Sequence, residues 1–484
     1  MILFLITVLS LARFIYLGSV PGLHGDEALY GIKTFFMMHK PLTLIGFNYY
    51  TGPLISYLRI PFYHIMGINV FSLRLPVVVL SLLTIFFAYK VLEKLYGRET
   101  GIIAAFLFLT IPWFFIESRF ADETHMTLPF FAICGLYYLL KDRKLKTRAL
   151  AGVFLGLGVF NHIIFIIVLA SYAMYFLIKN RFRIILNKGN ILFLAIVSGF
   201  FLIRLSLIYS AHVFNPAGSG WYYTLEQVFN KDFIYKIFSG IPYFLDMMNG
   251  GIFYKRMTGD ILINPAPVNS ALFMASLLFL AVRYRWLPEY KAGDTMLISL
   301  FALNCMINLV FLMKFSMRYF VVTLMFGTML MAVFIGAWGV KKWVKIMIVS
   351  MIVALNSFYL GYDYMYSFKK SGGRAAYFRA GNFIENSADF TDPRALYDYL
   401  KKKGAVCVWL PEWFLFPKWQ LMFLDINEKK LNIVTKKEGM PPGTIYFVCY
   451  KGGKGPESYG LKSGYTVLKE DSGLVNFDIY KLEK

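Results

Sequence analysis

The chain has 484 residues, of which 58% are hydrophobic, 18% aromatic and only 16% charged, with a mean hydropathy of +0.57. A soluble domain carries about 25% charged residues, so this composition excludes one and describes an integral membrane protein in contact with membrane lipids. The net charge of +22 then reads as basic residues flanking membrane spans on their cytoplasmic side, and no nucleic-acid partner is expected.

Residues 2–19 are almost wholly apolar, close to the roughly 20 residues a helix needs to cross a bilayer. They show neither a basic leader region nor a small-residue cleavage site, which predicts a retained helix. Further apolar runs fall at 69–92, 101–117, 125–140, 149–163, 163–178, 191–209, 266–282, 295–313, 319–339 and 346–361. Together they predict a polytopic α-helical membrane protein with about eleven transmembrane helices, the fifth and sixth joined closely around Asn161-His162. The connections sort by charge. Residues 90–99, 141–148, 179–190, 283–294 and 341–345 hold 18 Lys or Arg, whereas the longer opposite set, 20–69, 117–124, 210–264 and 314–318, holds 10. Basic connections stay in the cytoplasm, so the N-terminus is expected inside and residues 20–69 outside.

Within that first outer connection, Ala28–His39 and Leu54–Met66 carry apolar residues at helical spacing and predict amphipathic helices along the membrane surface. Gly52-Pro53 breaks the chain between them. Beyond residue 361 the composition turns polar, with 19 Lys or Arg and 14 Asp or Glu and no run long enough to span. The expected organisation is therefore a membrane domain over 1–361 and a small extracytoplasmic α/β domain over 362–484. In the latter, 381–403 reads as helical, with Asp392-Pro393 opening its last part and Gly404 closing it. Ala405–Leu410, Thr444–Tyr450, Tyr465–Lys469 and Leu474–Tyr480 read as strands, the last two joined at Asp471-Ser472-Gly473. Cys134 and Cys305 lie inside apolar runs. Cys407 and Cys449 fall in the outer part and can pair there. No internal repeat or low-complexity tract is present.

Four features can carry chemistry. The first is Asp26-Glu27, in His24-Gly25-Asp26-Glu27-Ala28-Leu29-Tyr30, where the first helix surfaces. A carboxylate at that depth can serve as a general base, a metal ligand or a solvated helix end. The second is Glu117-Ser118-Arg119-Phe120-Ala121-Asp122-Glu123-Thr124-His125, an outer turn whose acids can stabilise the following helix dipole or divide roles with Asp26-Glu27. The third is Lys314-Phe315-Ser316-Met317-Arg318-Tyr319, whose two cations lie one helical turn apart and can either grip a phosphate or snorkel. The fourth is the scatter of arginines near outer membrane depth: Arg13, Arg59, Arg74 and Arg204. Charges there are costly and tend to be paired or functional. His24, His64, His125 and His162 have no regular ligand spacing, so no metal site is assigned, although carboxylates can hold a divalent ion.

Taken in order, these residues resemble a known family. A hydrophobic helix leads to Asp26-Glu27-Ala28-Leu29-Tyr30 and then to a long outer loop ending in Gly52-Pro53-Leu54. Gly67-Ile68-Asn69-Val70-Phe71-Ser72-Leu73-Arg74-Leu75-Pro76, Leu95-Tyr96-Gly97-Arg98 and Ser118-Arg119 with Asp122-Glu123 follow. The pattern is similar to membrane glycosyltransferases of the GT-C class, in the protein O-mannosyltransferase and aminoarabinose-transferase superfamily. It covers about residues 1–340 and is densest over 1–140.

The resemblance implies a GT-C fold and a sugar donor carried on a polyprenyl phosphate such as undecaprenyl or dolichyl phosphate. It makes Asp26 the catalytic base, with Glu27 beside it. Tyr30, Asp122 and Glu123 would shape the acceptor and sugar pocket. Arg318 and Tyr319, with Lys314, would bind the donor phosphate. No nucleotide cofactor is then needed, in agreement with the lack of a P-loop or Gly-rich fingerprint. At two positions the chain departs from relatives that modify lipid A: Leu29 stands where they often carry a basic residue, and Tyr50-Thr51-Gly52 where they have a Lys before the proline. Lys33, one turn beyond Leu29, is placed to substitute. The acceptor therefore stays open among lipid, glycan and protein. Two competing classes are a membrane transporter, which would place ionisable residues mid-membrane and often repeat its halves, and a polyprenyl-diphosphate-dependent glycan ligase, which would want a more basic outer cavity.

Overall fold

Inside lipid, a backbone satisfies its polar groups only in helices or closed barrels, and the expected apolar runs are largely helical, although the first, expected over 2–19, is helical only over Ile2–Phe14. The computed structural model describes residues 2–39, 43–46, 51–122, 124–179, 187–214, 262, 264–286, 291–311, 317–367, 369, 377–380, 383–386, 393–410, 415–434, 443–450, 455–459, 465–472, 474 and 477–483. Helix α1 (Ile2–Leu11) ends in a 3-10 turn, Ala12–Phe14, and α2 (Gly25–Met38) and α3 (Leu54–Met66) occupy the first long connection. There follow α4 (Val70–Tyr96), α5 (Arg98–Thr110), α6 (Pro112–Glu117), α7 (Thr127–Lys141), α8 (Leu145–Asn161), α9 (Ile166–Lys179) and α10 (Lys188–Phe214). The helical part closes with α11 (Ala266–Trp286), α12 (Lys291–Phe311), α13 (Met317–Ala337) and α14 (Lys342–Phe358), which runs on as π-helix over Tyr359–Tyr366.

Among the described residues six helices are long and apolar enough to cross a membrane: α4, α10, α11, α12, α13 and the extended α14. Ile2–Phe14, Thr127–Lys141 and Ile163–Lys179 are shorter apolar helices. The expected run 101–117 is two helices. Pro112 has no N–H to continue α5, whose last residue is Thr110, and it opens α6 instead. The break at Asn161-His162 is present as predicted: His162 leaves helical geometry, and its Nδ1 accepts the Ile164 N–H at 3.1 Å. Helix α13 is the centre of the bundle. In it 83% of the apolar window is buried, against 6% for α10 at the periphery.

The C-terminal part holds a five-stranded mixed sheet in the order β4-β3-β5-β7-β6 and a separate two-stranded ribbon, β1 (Tyr377–Ala380) with β2 (Phe383–Asn386). In the sheet, β3 (Cys407–Trp409) runs parallel to both β4 (Asn432–Val434) and β5 (Ile445–Tyr450). The hairpin β6 (Thr466–Glu470) and β7 (Phe477–Glu483) adds on antiparallel. Alternate residues face opposite sides, as period-two geometry requires. Val408, Tyr446, Val448 and Ile479 pack with Leu396 and Leu400 of helix α15 (Arg394–Lys402) and with Leu421 of helix α16 (Leu415–Leu424). Cys407, Trp409, Phe447 and Leu482 form the opposite face.

Three expectations change here. The helix expected over 381–403 exists only as α15; its first part contains β2, which pairs with β1 in register Ala380↔Phe383. Gly381-Asn382, a dipeptide that favours two-residue hairpin connections, lies between those strands. Strand β4, three residues long, is not among the predicted strands. Cys407 and Cys449 are both free thiols: Cys407 pairs with Ile445 across the parallel ladder, which sets Cys449 about 13 Å further along β5.

Candidate functional site

The site grows from the start of α2. His24 caps the helix: its Nδ1 accepts the Asp26 N–H at 3.1 Å, while the His24 N–H donates to Glu27 Oε2 at 3.0 Å. This reciprocal capping box fixes how the two acids diverge. Successive helical residues point about 100° apart, so Asp26 faces outward and Glu27 faces the core. The side chain of Asp26 is 28% exposed, against 1% for Glu27, 4% for Asp122 and 0% for Glu117. An anionic group at this helix end also sits in the favourable field of the helix N-terminus.

Glu27 is fully engaged. Arg74 of α4 meets it as a fork, Nε to Oε1 at 2.9 Å and Nη2 to Oε2 at 2.6 Å, and the Ala121 N–H donates to Oε1 at 2.6 Å. The other Arg74 donors go to the carbonyls of Leu17, Pro21 and Gly22 at 2.8–3.1 Å. Burial alone would raise the Glu27 pKa; the Arg74 charge and the donated hydrogen bonds overcome it and hold the group below its ordinary value. A second buried arginine, Arg119, donates from Nε and Nη2 to Val20 O, from Nη1 to Arg13 O and from Nη2 to Ile15 O. Arg13 in turn reaches Ser118 Oγ and Phe108 O. The first helix, the outer turn and α4 are thus tied into one buried frame.

The outer turn between α6 and α7 is held at both sides of one peptide: Glu27 accepts the Ala121 N–H, and Arg59 Nη2 donates to the Ala121 carbonyl. Within the turn His125 lies between two carboxylates, Nδ1 against Glu117 and Nε2 at 3.6 Å from Asp122. Both ring nitrogens face oxygens, so both carry hydrogen. Burial opposes that charge, but Glu117 and Asp122 outweigh it and push the imidazolium pKa up to about 10. Asp122 Oδ1 also accepts from the backbone N–H and the hydroxyl of Thr124 at 3.0 and 3.2 Å.

The rest of the first outer connection folds over this frame. Lys33 donates to the Gly46 carbonyl, and the Gly46 N–H donates to Thr51 O at 2.7 Å. Burial lowers the Lys33 pKa. The Gly52 N–H donates to Asn161 O at 2.6 Å, and Thr51 bridges to His162, so the Gly-Pro break docks onto the break between α8 and α9. A side chain at Gly52 would place its Cβ 2.2 Å from the Phe160 carbonyl, which explains the glycine. Tyr319, at the start of α13, stands with its ring 6.4 Å from that of His162. From the C-terminal part, α16 lies on α2: Gln420 Nε2 donates to Leu23 O at 2.5 Å, and the Phe423 ring covers Gly31.

The structure brings Asp26, Glu27, Tyr30 and Asp122 into one region through these contacts, and Lys33 and Tyr319 join it along the Gly46–His162 side. Glu123 and Lys314 lie outside the described residues. Arg318 falls in α13, its side chain outside the described part. Two residues gain prominence that the sequence does not give them. His125 lacks ligand spacing yet sits between acids eight residues before it and three residues before it; the i,i+3 pair with Asp122 is its one sequence signal. Arg59 lies under the Tyr30 ring, 5.8 Å from its centroid, and is otherwise one arginine among several. Among the described residues no group of three or more His, Cys, Asp or Glu side chains is arranged to hold a metal ion.

Residues 50–209 match the family model described as dolichyl-phosphate-mannose-protein mannosyltransferase. No curated protein matches the chain. Among solved structures, ArnT from Cupriavidus metallidurans in the apo state is similar with a TM-score of 0.63 at 12% identity, covering 99% of this chain and 97% of that one. The same protein bound to undecaprenyl phosphate gives 0.62 at 12% identity, with coverage of 99% and 97%. The Archaeoglobus fulgidus oligosaccharyltransferase in complex with Zn and sulfate gives 0.51 at 14%, covering 90% of this chain and 62% of that one. At these identities the likeness establishes the fold, which is the ArnT-like GT-C architecture that the sequence resemblance implies.

Proposed function

We propose that the chain is an inverting glycosyltransferase that moves a sugar from a polyprenyl-phosphate donor to an acceptor hydroxyl or phosphate on the outer face of the membrane. The observation that carries this reading is the division between the two adjacent acids. Glu27 is locked by Arg74, His24 and Ala121, whereas among the described acids of the site the Asp26 carboxylate is the partly exposed one. The match of residues 50–209 to a mannosyltransferase family and the fold shared with a protein bound to undecaprenyl phosphate support the donor class.

In this mechanism Asp26 accepts the proton of the acceptor group as its oxygen attacks the anomeric carbon. The bond from that carbon to the phosphate oxygen breaks, and polyprenyl phosphate leaves with the electron pair. A single displacement inverts the anomeric centre. Glu27 positions the helix end that carries Asp26. Asp122 and Glu123, with Tyr30, line the acceptor and sugar pocket, and Arg318, Tyr319, Lys314 and Lys33 stabilise the charge growing on the leaving phosphate. The N-terminus lies in the cytoplasm, the catalytic part spans residues 1–361, and the extracytoplasmic domain spans 362–484.

The test is transfer from a panel of polyprenyl-phosphate sugars by purified wild type and Asp26→Asn. Loss of turnover by at least 100-fold is expected with retained donor binding, in line with the contribution of a general base. Unimpaired transfer by Asp26→Asn would remove the base assignment.

A further inference from the structure

We propose that Arg59 is a seat for the phosphate of the lipid-linked donor, an inference that rests on the transferase reading above. The buried arginines of the outer frame differ in how many of their donors are met, Arg13 leaving its Nε without a partner among the described residues. Arg74 and Arg119 have an acceptor for every guanidinium nitrogen, supplied by carbonyls and by Glu27. Arg59 is equally buried, at 0% exposure, yet only its Nη2 is used, on the Ala121 carbonyl. Its Nε and Nη1 have no hydrogen-bond partner among the described residues. Leaving charged donors unsatisfied in a dry interior is costly, so this side chain is suited to an acceptor that the described residues do not supply.

The surroundings indicate the kind of acceptor. The Tyr30 ring lies over the guanidinium, its centroid 5.8 Å from the guanidinium carbon. Tyr63, one turn further along α3, is buried with a hydroxyl that also has no partner among the described residues. Arg204 of α10 is close enough to Tyr30 to interact with it electrostatically, adding a second buried cation. Glu27 and Asp122 feel the Arg59 charge but accept no hydrogen bond from it. A planar guanidinium beside a free phenol and a second cation suits phosphate oxygens, which accept several hydrogen bonds at once. The place is also right: the peptide of Ala121 joins Arg59 to Glu27, and Glu27 adjoins Asp26. Leu29, next to Tyr30 in the sequence, brings no charge of its own.

The phosphate on such a seat can come from the lipid donor or from a phosphorylated acceptor, and we assign it to the donor. The experiment measures binding of undecaprenyl phosphate and, separately, of glucose 1-phosphate to the purified full-length protein. Wild type and Asp26→Asn are expected to bind the lipid phosphate equally, Arg59→Gln at least tenfold more weakly, and Arg59→Lys three- to tenfold more weakly because an ammonium lacks the planar fork. Melting of each empty variant establishes that it is folded; should Arg59→Gln fail to fold, Arg59→Lys decides. Binding of both phosphates by the folded Arg59 variants within twofold of wild type overturns the seat. Weakening confined to glucose 1-phosphate overturns its assignment to the donor. A wild-type protein that binds neither ligand fails the transferase reading itself, before any Arg59 variant is compared.

Discussion

Asp26 and Glu27 are neighbours in the chain and near-equivalents in chemistry, yet the fold gives them opposite environments. The helix rotation between them and the His24 cap turn one carboxylate outward and drive the other onto Arg74. A buried pair of this kind adds little net stability as a pair, but removing one partner strands the other. Arg74→Ala is accordingly expected to destabilise the protein by about 3–5 kcal/mol, seen as a large fall in melting temperature. Arg74→Lys should recover little of it, since a single ammonium cannot serve Glu27 and the carbonyls of Leu17, Pro21 and Gly22 together. A melting temperature unchanged in Arg74→Ala would mean that the fork is not what holds the outer frame. The sequence marks both acids and all of these arginines. It is silent on which charge meets which, because the partners are separated by tens of residues and the choice depends on burial.

Elements were legible where their signals are local. Helices α2 and α3 follow from apolar spacing, and the Gly52-Pro53 break between them from turn chemistry. The strand β2, inside a stretch of helical pattern and paired with β1 just before it, is instead a tertiary outcome, because strand pairing overrides weak local preference. The contact of α16 with α2 is also invisible in one dimension. It depends on Gly31, where an added Cβ would lie 2.3 Å from the Phe423 ring. Gly31→Ala is expected to lift α16 from α2 and to speed proteolysis of the C-terminal part, and Phe423→Ala added to it should restore protection by vacating the space. Equal protease sensitivity of wild type and Gly31→Ala would show that the ring shifts aside at no cost.

At the scale of the whole molecule the charge of the connections argues for sidedness. Lys430, with its side chain 69% exposed beside the sheet, and Lys146, exposed after α7, should lie on opposite sides of the membrane. In intact cells a membrane-impermeant maleimide is expected to label Lys430→Cys and to spare Lys146→Cys until the membrane is opened. The native thiols of Cys134, Cys407 and Cys449 are buried and that of Cys305 half-buried, so background labelling should be low. The reverse pattern would invert the proposed orientation and with it the face on which transfer takes place.

The sequence by itself determined the membrane class, the apolar helices and the stretches where chemistry concentrates. Those properties are sums over neighbouring residues: transfer of apolar side chains from water, charge per connection, and glycine and proline at breaks. Only the tertiary structure decided that Glu27 belongs to Arg74 and Ala121, 47 and 94 residues away, that His125 is clamped between Glu117 and Asp122, and that Arg59 is buried with donors to spare. Burial multiplies the strength of a polar contact and the cost of leaving one unmade, and burial is a property of the folded chain.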